Sequence, residues 1–175
     1  MAAEPHPVSA RLKRAALVLL VVALLLAFDQ WTKGLAVSYL ENQNAKVLIP
    51  NVLELVFVRN FGAAFGILKG AQSFFFVIAG AVSAVLFVLL LRMPYGKRYL
   101  PLSACFTFII AGALGNLIDR VQHTYVVDFI YFVPIDFPVF NVADIYITCS
   151  AAALIFLLLF YYKDDELNWK KEAGR

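Results

Sequence analysis

Four long apolar runs divide the chain, and polar stretches separate them. They cover residues 15–28, 74–91, 99–118 and 142–162. About 20 apolar residues cross the hydrocarbon core of a bilayer as an α-helix, and the last three runs are of that order. The first run reaches it only if its helix continues past Asp29. The pattern therefore predicts a membrane α-helical protein with four transmembrane helices, at about 15–34, 73–91, 99–119 and 142–162.

A cleaved signal peptide is an alternative interpretation of the first run, because basic residues at 11–14 precede it. The polar stretch 29–33 follows directly, in place of small residues of the A-x-A type. We therefore expect the run to remain in the protein as a helix.

The segments between the predicted helices differ in character. Residues 47–49 and 52–58 are rich in β-branched and aromatic side chains, and Pro50-Asn51 between them is a turn signal. The segment 35–72 is thus predicted to hold two or three short strands, which form a small apolar sheet at the membrane surface. The segment 120–141 is an aromatic-rich loop, and the tails 1–10 and 163–175 are polar. All of these belong to one membrane domain.

The basic residues predict the orientation of the helices. Ten of the fifteen Lys and Arg residues lie in the N-terminal segment, the loop 92–98 and the C-terminal segment. Because cytoplasmic loops carry an excess of Lys and Arg, both termini are predicted to be cytoplasmic. The segments 35–72 and 120–141 are then extracytoplasmic.

Composition narrows the class of protein. Apolar residues make up 62% of the chain, charged residues 15%, and the mean hydropathy is +0.79. These values exclude a disordered chain and an ordinary soluble globule. The net charge is +3. Because the distribution of the basic residues follows the predicted orientation in the membrane, this charge does not indicate nucleic-acid binding. Cys105 and Cys149 both lie in apolar runs, so we expect neither a disulfide scaffold nor a zinc site.

Polar residues gather at the predicted outer ends of three helices and in the loop 120–141. Charged groups near hydrocarbon are costly, and they are usually functional or paired. The group consists of Asp29, Lys33, Asn116, Asp119, Arg120, Asp128, Asn141 and Asp144. Four aspartates therefore converge on one face of the membrane.

Several of these residues also have a purely structural interpretation. Asp29 and Lys33 are four residues apart and can form an ion pair on one helix face. Asn141 and Asp144 have the spacing of a capping box. Asp128 can be an exposed loop acid, although its immediate neighbours are apolar.

Asp119 and Arg120 leave more than one role open. Together with Asn116 they share a helix face, and Arg120 can pair with Asp119, hold another carboxylate or bind a substrate carbonyl.

Asp128 and Asp144 come from separate elements at similar depth, and a facing carboxyl pair has a specific chemistry. Such a pair shares one proton, so that the ionised member activates water while the protonated member hydrogen-bonds a peptide carbonyl. No H-E-x-x-H or G-x-S-x-G motif occurs, and His123 stands alone in its loop. The spacing of the two aspartates does not by itself place them together.

Five motifs follow one another along the chain: DQWTK at 29–33, NFGAAF at 60–65, GNLIDR at 115–120, VVDF at 126–129 and FNVAD at 140–144. Taken together and in this order, they resemble the lipoprotein signal peptidase (signal peptidase II) family. The resemblance covers about 15–162, and its specificity comes from the five motifs together. It implies an aspartic endopeptidase of the bacterial inner membrane, which cuts prolipoproteins just before a diacylglyceryl-modified cysteine.

The resemblance also implies roles for individual residues. The family's catalytic pair falls on Asp128 and Asp144. Its substrate-binding positions fall on Asn60, Gly62, Asn116, Arg120 and Asn141, and its supporting positions fall on Asp29, Lys33 and Asp119. The expected partners are prolipoproteins and membrane lipids, without metal or organic cofactor, and the oligomeric state stays open.

The same resemblance implies a β-cradle from about 35–70 and a short mobile periplasmic helix from the region 120–141. Phe61 is a departure, since many members carry Thr at this position, and it bears on the preference among substrates. Two other functions compete with the peptidase. A transporter or channel subunit would also carry membrane acids, and an assembly factor would use small residues such as Gly112 and Gly115 for helix packing.

Overall fold

The computed structural model describes residues 8–62 and 72–167. The main helices are α1 (Val8–Leu40), α2 (Gln72–Arg92), α3 (Leu100–His123) and α4 (Val142–Phe156), and a short helix α5 (Asp164–Leu167) ends the described chain. The strands are β1 (Lys46–Ile49), β2 (Leu53–Asn60) and β3 (Val126–Phe132). Residues 1–7 and 168–175 of the predicted tails 1–10 and 163–175, and residues 63–71 of the predicted segment 35–72, lie outside the described residues.

Three helical segments of the described chain are long and apolar enough to cross a membrane. They are Gln72–Arg92, Lys97–His123, in which a short 3-10 turn (Lys97–Tyr99) leads into α3, and Val142–Tyr161, in which α4 continues as a π-helical turn (Leu157–Tyr161). These segments correspond to the second, third and fourth predicted spans. The described chain thus combines apolar helices of membrane-spanning length with a small three-stranded sheet.

Helix α1 is longer than the sequence indicates. It has 33 residues, or about 50 Å at 1.5 Å per residue, against the predicted bounds of 15–34. Its last turns stay helical because Ala36 and Leu40 pack against Val127 and Phe129 of β3, in a small core of their own. The C-terminal end of α1 is therefore a support for the sheet and not part of a loop.

Helix α3 lies at the centre of the bundle, in contact with α1, α2 and α4. Its glycines permit this close packing. A Cβ atom at Gly112 would lie 2.5 Å from the carbonyl oxygen of Ala143, and a Cβ atom at Gly115 would lie 2.7 Å from Oδ2 of Asp29. The larger apolar core includes Val22, Leu90 and Phe106. It lies towards the helix ends that are away from the sheet, and these ends form the distal end of the bundle.

The sheet is antiparallel and has the order β1-β2-β3. β2 pairs with β3 so that Val58 is opposite Asp128 and Arg59 is opposite Val127. Of the two or three strands expected in the segment 35–72, two, β1 and β2, are present among its described residues. The third strand comes from the region 120–141, for which the sequence predicts a loop with a short helix.

That expectation for the region 120–141 is wrong in one respect, because Asp128 lies in strand β3 and not in a loop. The short helix expected there corresponds to a three-residue 3-10 turn, Val133–Ile135, which is the only helical element of the described chain between Thr124 and Asn141. The β-branched and aromatic residues of β3 favour a paired strand. Pro134 and Pro138, which lack a backbone N–H, disfavour a longer helix in the return to α4.

Arginine side chains tie the segments together at the distal end. Arg14 of α1 donates to the carbonyl oxygens of Leu90, Met93 and Pro94, at and just after the last turn of α2, and lies 3.6 Å from the centroid of the Tyr95 ring. Arg98 forms an ion pair with Glu166 of α5. The end of α2 is therefore capped by a residue of another helix.

Candidate active site

Asp128 and Asp144 line the same cavity, which lies between the sheet and the adjoining ends of α3 and α4. The cavity has a volume of about 380 Å³. Its polar lining comprises the two carboxyls with Asn60, Asn116 and Arg120. Its other walls are the segment 137–140 and the side chains of Ile145, Thr148 and Cys149 on α4. Two carboxyls that are sixteen positions apart in the sequence are thus brought to one space.

Strand β3 holds Asp128 in an almost fully buried position, with 2% of its surface exposed. Oδ2 accepts a hydrogen bond from Nδ2 of Asn60 at 2.8 Å, and Oδ1 accepts one from Nδ2 of Asn141 at 2.7 Å. Burial, and then repulsion by Asp144, raise the pKa of Asp128 to about 7, against the opposing effect of the two amide donors. The exposed loop acid considered from the sequence is therefore not what the structure shows.

Asp144 stands at the first turn of α4, where it belongs to a complete capping box with Asn141. Oδ1 of Asn141 accepts from the backbone N–H of Asp144 at 2.9 Å, and Oδ2 of Asp144 accepts from the backbone N–H of Asn141 at 3.1 Å. Oδ1 of Asp144 accepts in addition from Nδ2 of Asn116 at 2.7 Å. The capping interpretation is confirmed, and the same carboxyl also lines the cavity.

Asn141 is the residue that touches both carboxyls. Its side-chain amide donates to Asp128, and its backbone N–H donates to Asp144. It is fully buried. One residue at the N-terminus of α4 therefore links the two carboxyls directly.

Lys33 lies at the centre of a buried cluster behind the cavity. Its ammonium group contacts Oδ2 of Asp29 at 2.9 Å, Oδ2 of Asp119 at 3.0 Å and Oδ1 of Asn116 at 3.0 Å. The predicted ion pair of Asp29 and Lys33 is therefore present, and Lys33 forms a second ion pair with Asp119 of α3. Neither Lys33 nor its two carboxylates line the cavity.

The two carboxylates of this cluster also bind backbone groups of the elements that carry the cavity residues. Asp29 accepts from the N–H of Ala143 at 2.9 Å, and Asp119 accepts from the N–H of Val127 at 3.1 Å. Gln30, which is not among the predicted site residues, donates to Asp119 at 2.8 Å. Its position between Asp29 and Lys33 in the first motif was the signal available. The cluster fixes β3 and α4 to α1 and α3.

Arg120 lies on the cavity wall but forms no ion pair with Asp119, Asp128 or Asp144, three carboxylates that the structure describes. It donates to the carbonyl oxygen of Gly62 at 2.9 Å and lies 4.3 Å from the centroid of the Phe75 ring.

The turn that follows β2 carries the remaining predicted residues. Gly62 donates its N–H to Oδ1 of Asn60 at 2.9 Å, so the turn 60–62 is held at both ends. Phe61 is 46% exposed, and its ring centroid lies 5.5 Å from that of Tyr125.

The residues of α4 that line the cavity beyond Asp144 were not predicted. Ile145, Thr148 and Cys149 follow at one, four and five positions after Asp144, which is the spacing of one helix face. Their signal in the sequence was this periodicity. It shows that the three residues share a helix face, but it does not show that this face borders a cavity. Within residues 8–62 and 72–167, no group of three or more His, Cys, Asp and Glu side chains is arranged to hold a metal ion.

Comparisons with known proteins agree on one family. The family model described as signal peptidase (SPase) II matches residues 21–160. A lipoprotein signal peptidase of Brevibacillus brevis is 42% identical over 149 residues, which are 85% of this chain and 97% of that protein. One from Streptococcus agalactiae is 37% identical over 161 residues, which are 92% of this chain and 97% of that protein.

A solved structure of a bacterial membrane enzyme, determined by the in meso method at 2.3 Å resolution, has the same fold. It superposes with a TM-score of 0.72 at 32% identity, and the match covers 85% of this chain and 93% of that one. Sequence motifs, cavity and comparisons all lead to one assignment: this chain belongs to the signal peptidase II family.

Proposed function

We propose that the protein is an aspartic endopeptidase that removes the signal peptide from diacylglyceryl-modified prolipoproteins and cleaves just before the lipid-carrying cysteine. As a member of its family it is a peptidase, and its relatives are named lipoprotein signal peptidases. The observation that supports the aspartic mechanism is the cavity that Asp128 and Asp144 line together, with Asn141 in contact with both.

The chemistry needs one ionised and one protonated carboxyl. The ionised carboxyl takes a proton from water as the water oxygen attacks the scissile carbonyl carbon. The protonated carboxyl donates to the carbonyl oxygen, and a proton passes to the leaving amine as the C–N bond breaks. The raised pKa of Asp128, which burial and the neighbouring Asp144 cause, fits a pair that retains one proton near neutral pH.

The proposal includes the placement of the enzyme in the bacterial inner membrane. We take α1 as a fourth membrane span, since its leucines 17, 19, 20 and 24 are more than half exposed along an otherwise apolar helix. With both termini cytoplasmic, as the distribution of Lys and Arg predicts, the cavity lies near the outer face. The carboxyl pair then meets the substrate close to the membrane edge, where a lipid anchor holds the cysteine.

The experiment is cleavage of a purified diacylglyceryl-modified prolipoprotein by the wild type and by the Asp128→Asn and Asp144→Asn variants. Because general acid–base catalysis contributes about 10²–10⁴-fold, each variant is expected to lose at least that much activity. Asp136→Asn is the matched control, since Asp136 lies in an exposed turn where its carboxylate accepts from the hydroxyl of Tyr131.

Thermal unfolding in detergent shows whether each variant is folded. A folded Asp128→Asn or Asp144→Asn variant that still cleaves at the wild-type rate would refute the aspartic mechanism. A folded wild type without any cleavage would refute the peptidase proposal itself, and ion or proton flux in liposomes would then be measured.

A further inference from the structure

Three asparagines surround the carboxyl pair, and each has its side-chain oxygen occupied by a donor. Oδ1 of Asn60 accepts from the N–H of Gly62, and Oδ1 of Asn141 accepts from the N–H of Asp144, both at 2.9 Å. Oδ1 of Asn116 accepts from Lys33 at 3.0 Å. Since an amide has its oxygen on one side and its NH₂ group on the other, each of these donors fixes which way the amide points.

The NH₂ groups all point at the carboxyl pair. Asn60 and Asn141 donate to the two oxygens of Asp128, at 2.8 and 2.7 Å, and Asn116 donates to Oδ1 of Asp144 at 2.7 Å. The backbone N–H of Asn141 donates to the remaining oxygen of Asp144. Every oxygen of the pair therefore accepts one N–H, and each amide oxygen of the three already accepts a donor from within the protein.

We propose that Asn60, Asn116 and Asn141 are positioning residues for the carboxyl pair, not substrate-binding residues, and that Lys33 is a further positioning residue that acts through Asn116. This inference rests on the proposed function. It differs from the expectation drawn from the sequence, in which the asparagines bind the substrate and Lys33 supports the site in an unspecified way.

Lys33 reaches the pair only through other side chains. Its side chain is 3% exposed, and its three contacts, Asp29, Asp119 and Asn116, use up the three N–H bonds of an ammonium group. Asn116 is the one contact of the three that continues to a cavity carboxyl. Its orientation is supported a second time by Nδ2 of Asn141, which donates to the same oxygen at 3.1 Å.

The two roles predict different kinetics. A positioning residue affects the reacting geometry, so its loss lowers kcat, whereas loss of a residue that binds substrate and transition state equally raises KM. A misplacement of about 1 Å in a reacting group can cost roughly 10²-fold in rate. We therefore expect Asn60→Ala and Asn116→Ala to lower kcat about 10²-fold while KM changes less than about twofold.

The pH profile provides a readout that general structural damage would not move. Asn60 donates to Asp128 and so favours its ionised form. The charge of Asp144 disfavours that ionised form, and the charge of Lys33 favours it. Of the other charged groups nearby, Arg120 is on the cavity wall, and Asp29 and Asp119 face Lys33. Asn60→Ala leaves all of these in place, so the alkaline fall in kcat is expected to shift to higher pH.

The experiment measures kcat, KM and the pH profile for the wild type, Asn60→Ala and Asn116→Ala, with cleavage of a diacylglyceryl-modified prolipoprotein as the assay. Asn51→Gly is the control, since Asn51 is exposed in the turn before β2 with φ of 58°. A rise in KM with kcat unchanged, or no change in either, would overturn the positioning role. A lower kcat at constant KM with a shifted pH profile would support it.

Lys33 is tested by a double-mutant cycle with Asn116. Lys33→Gln keeps a hydrogen-bond donor but leaves the buried carboxylates of Asp29 and Asp119 without their cation. A second variant therefore combines Lys33→Gln with Asp29→Asn, which removes one of these two negative charges. If Lys33 acts through Asn116, its replacement lowers kcat in the wild type but adds less than about twofold in the Asn116→Ala background. Full additivity would overturn this part, as would failure of every Lys33 variant to fold while Asn116→Ala keeps wild-type kcat.

The two proposals fail in different ways. If the wild type does not cleave, or if folded Asp128→Asn and Asp144→Asn variants remain active, the proposed function is refuted and the positioning role falls with it. If the aspartate variants lose activity and the asparagine variants change KM alone, only the positioning role is refuted.

Discussion

The backbone N–H of Ala143 donates a hydrogen bond to Oδ1 of Asp29 at 2.9 Å, across 114 positions of the chain. A fully buried carboxylate of the first helix thus binds one of the free N–H groups at the start of the fourth. Gly115 of α3 provides the space for this carboxylate, because a Cβ atom there would lie 2.7 Å from its other oxygen. Three helices therefore meet at one carboxyl group.

Gly115→Ala is expected to destabilise the protein. The added methyl group must displace Asp29, and overpacking of this kind costs about 1–3 kcal/mol. In a chain of this length that corresponds to a fall in Tm of roughly 2–12 °C. Thermal unfolding in detergent measures it. Gly80→Ala in α2 is the control, since a Cβ atom there meets nothing within 4 Å. Equal Tm values for the two variants would contradict the close packing of α3 against Asp29.

Arg14→Ala is expected to loosen the distal end of the bundle. The guanidinium group of Arg14 binds three carbonyl oxygens at the end of α2 and stacks on Tyr95. Hydrogen bonds from a charged group contribute about 1.5–3 kcal/mol, so a loss of roughly 2 kcal/mol in the free energy of unfolding is predicted. Denaturant unfolding in detergent measures this loss. Arg11→Ala, at an exposed position one turn earlier, should change the free energy by less than about 0.5 kcal/mol.

Peptidase activity should fall as the pH rises above about 7. Burial and the neighbouring Asp144 raise the pKa of Asp128 to about 7, so below this pH the pair retains the proton that the leaving amine requires. Above it both carboxyls become ionised, and kcat/KM should decrease about tenfold per pH unit. Because the two groups titrate together, the measured value belongs to the pair. A rate that stays constant from about pH 6 to pH 9 would contradict this account.

Alkylation of Cys149 should inhibit the enzyme. Its side chain is exposed and lines the cavity five residues after Asp144, so a bulky adduct would occupy space beside the carboxyl pair. The other cysteine, Cys105, is buried. Treatment with a membrane-permeable maleimide is expected to lower activity strongly in the wild type and not in a Cys149→Ser variant, which is the control. Equal inhibition of both proteins would mean that the reagent acts elsewhere.

The sequence predicted α2, α3 and α4 well because each carries its own signal, an apolar run long enough to cross a membrane. It missed the last turns of α1 because their helical state depends on Val127 and Phe129, which are far away in the chain. It placed Asp128 in a loop for the same reason, since a strand such as β3 is recognised through its partner. That partner is β2, and the contact between Asn60 and Asp128 spans 68 positions.

The composition of the candidate site was also predictable, but the connections within it were not. Polar residues at the ends of apolar runs are conspicuous, so the charged and amide side chains that line the cavity carry a signal in the sequence. Which of them line the cavity and which lie behind it depends on distances between helices. Lys33 and Arg120 illustrate the limit: the sequence shows two cations beside aspartates, but only the structure shows that Lys33 is bound to two carboxylates and Arg120 to a backbone carbonyl.

The origin of β3 in the later part of the chain has a consequence for biosynthesis. The chain is made from its N-terminus, so β1 and β2 leave the ribosome long before their third strand. Asn141, which contacts both carboxyls, arrives later still, at the start of the last long helix. A nascent chain that stops before α4 has one of the two aspartates and no residue to join them. On the proposed mechanism the protease is therefore inert throughout its own insertion and becomes active only when its final helix is in place.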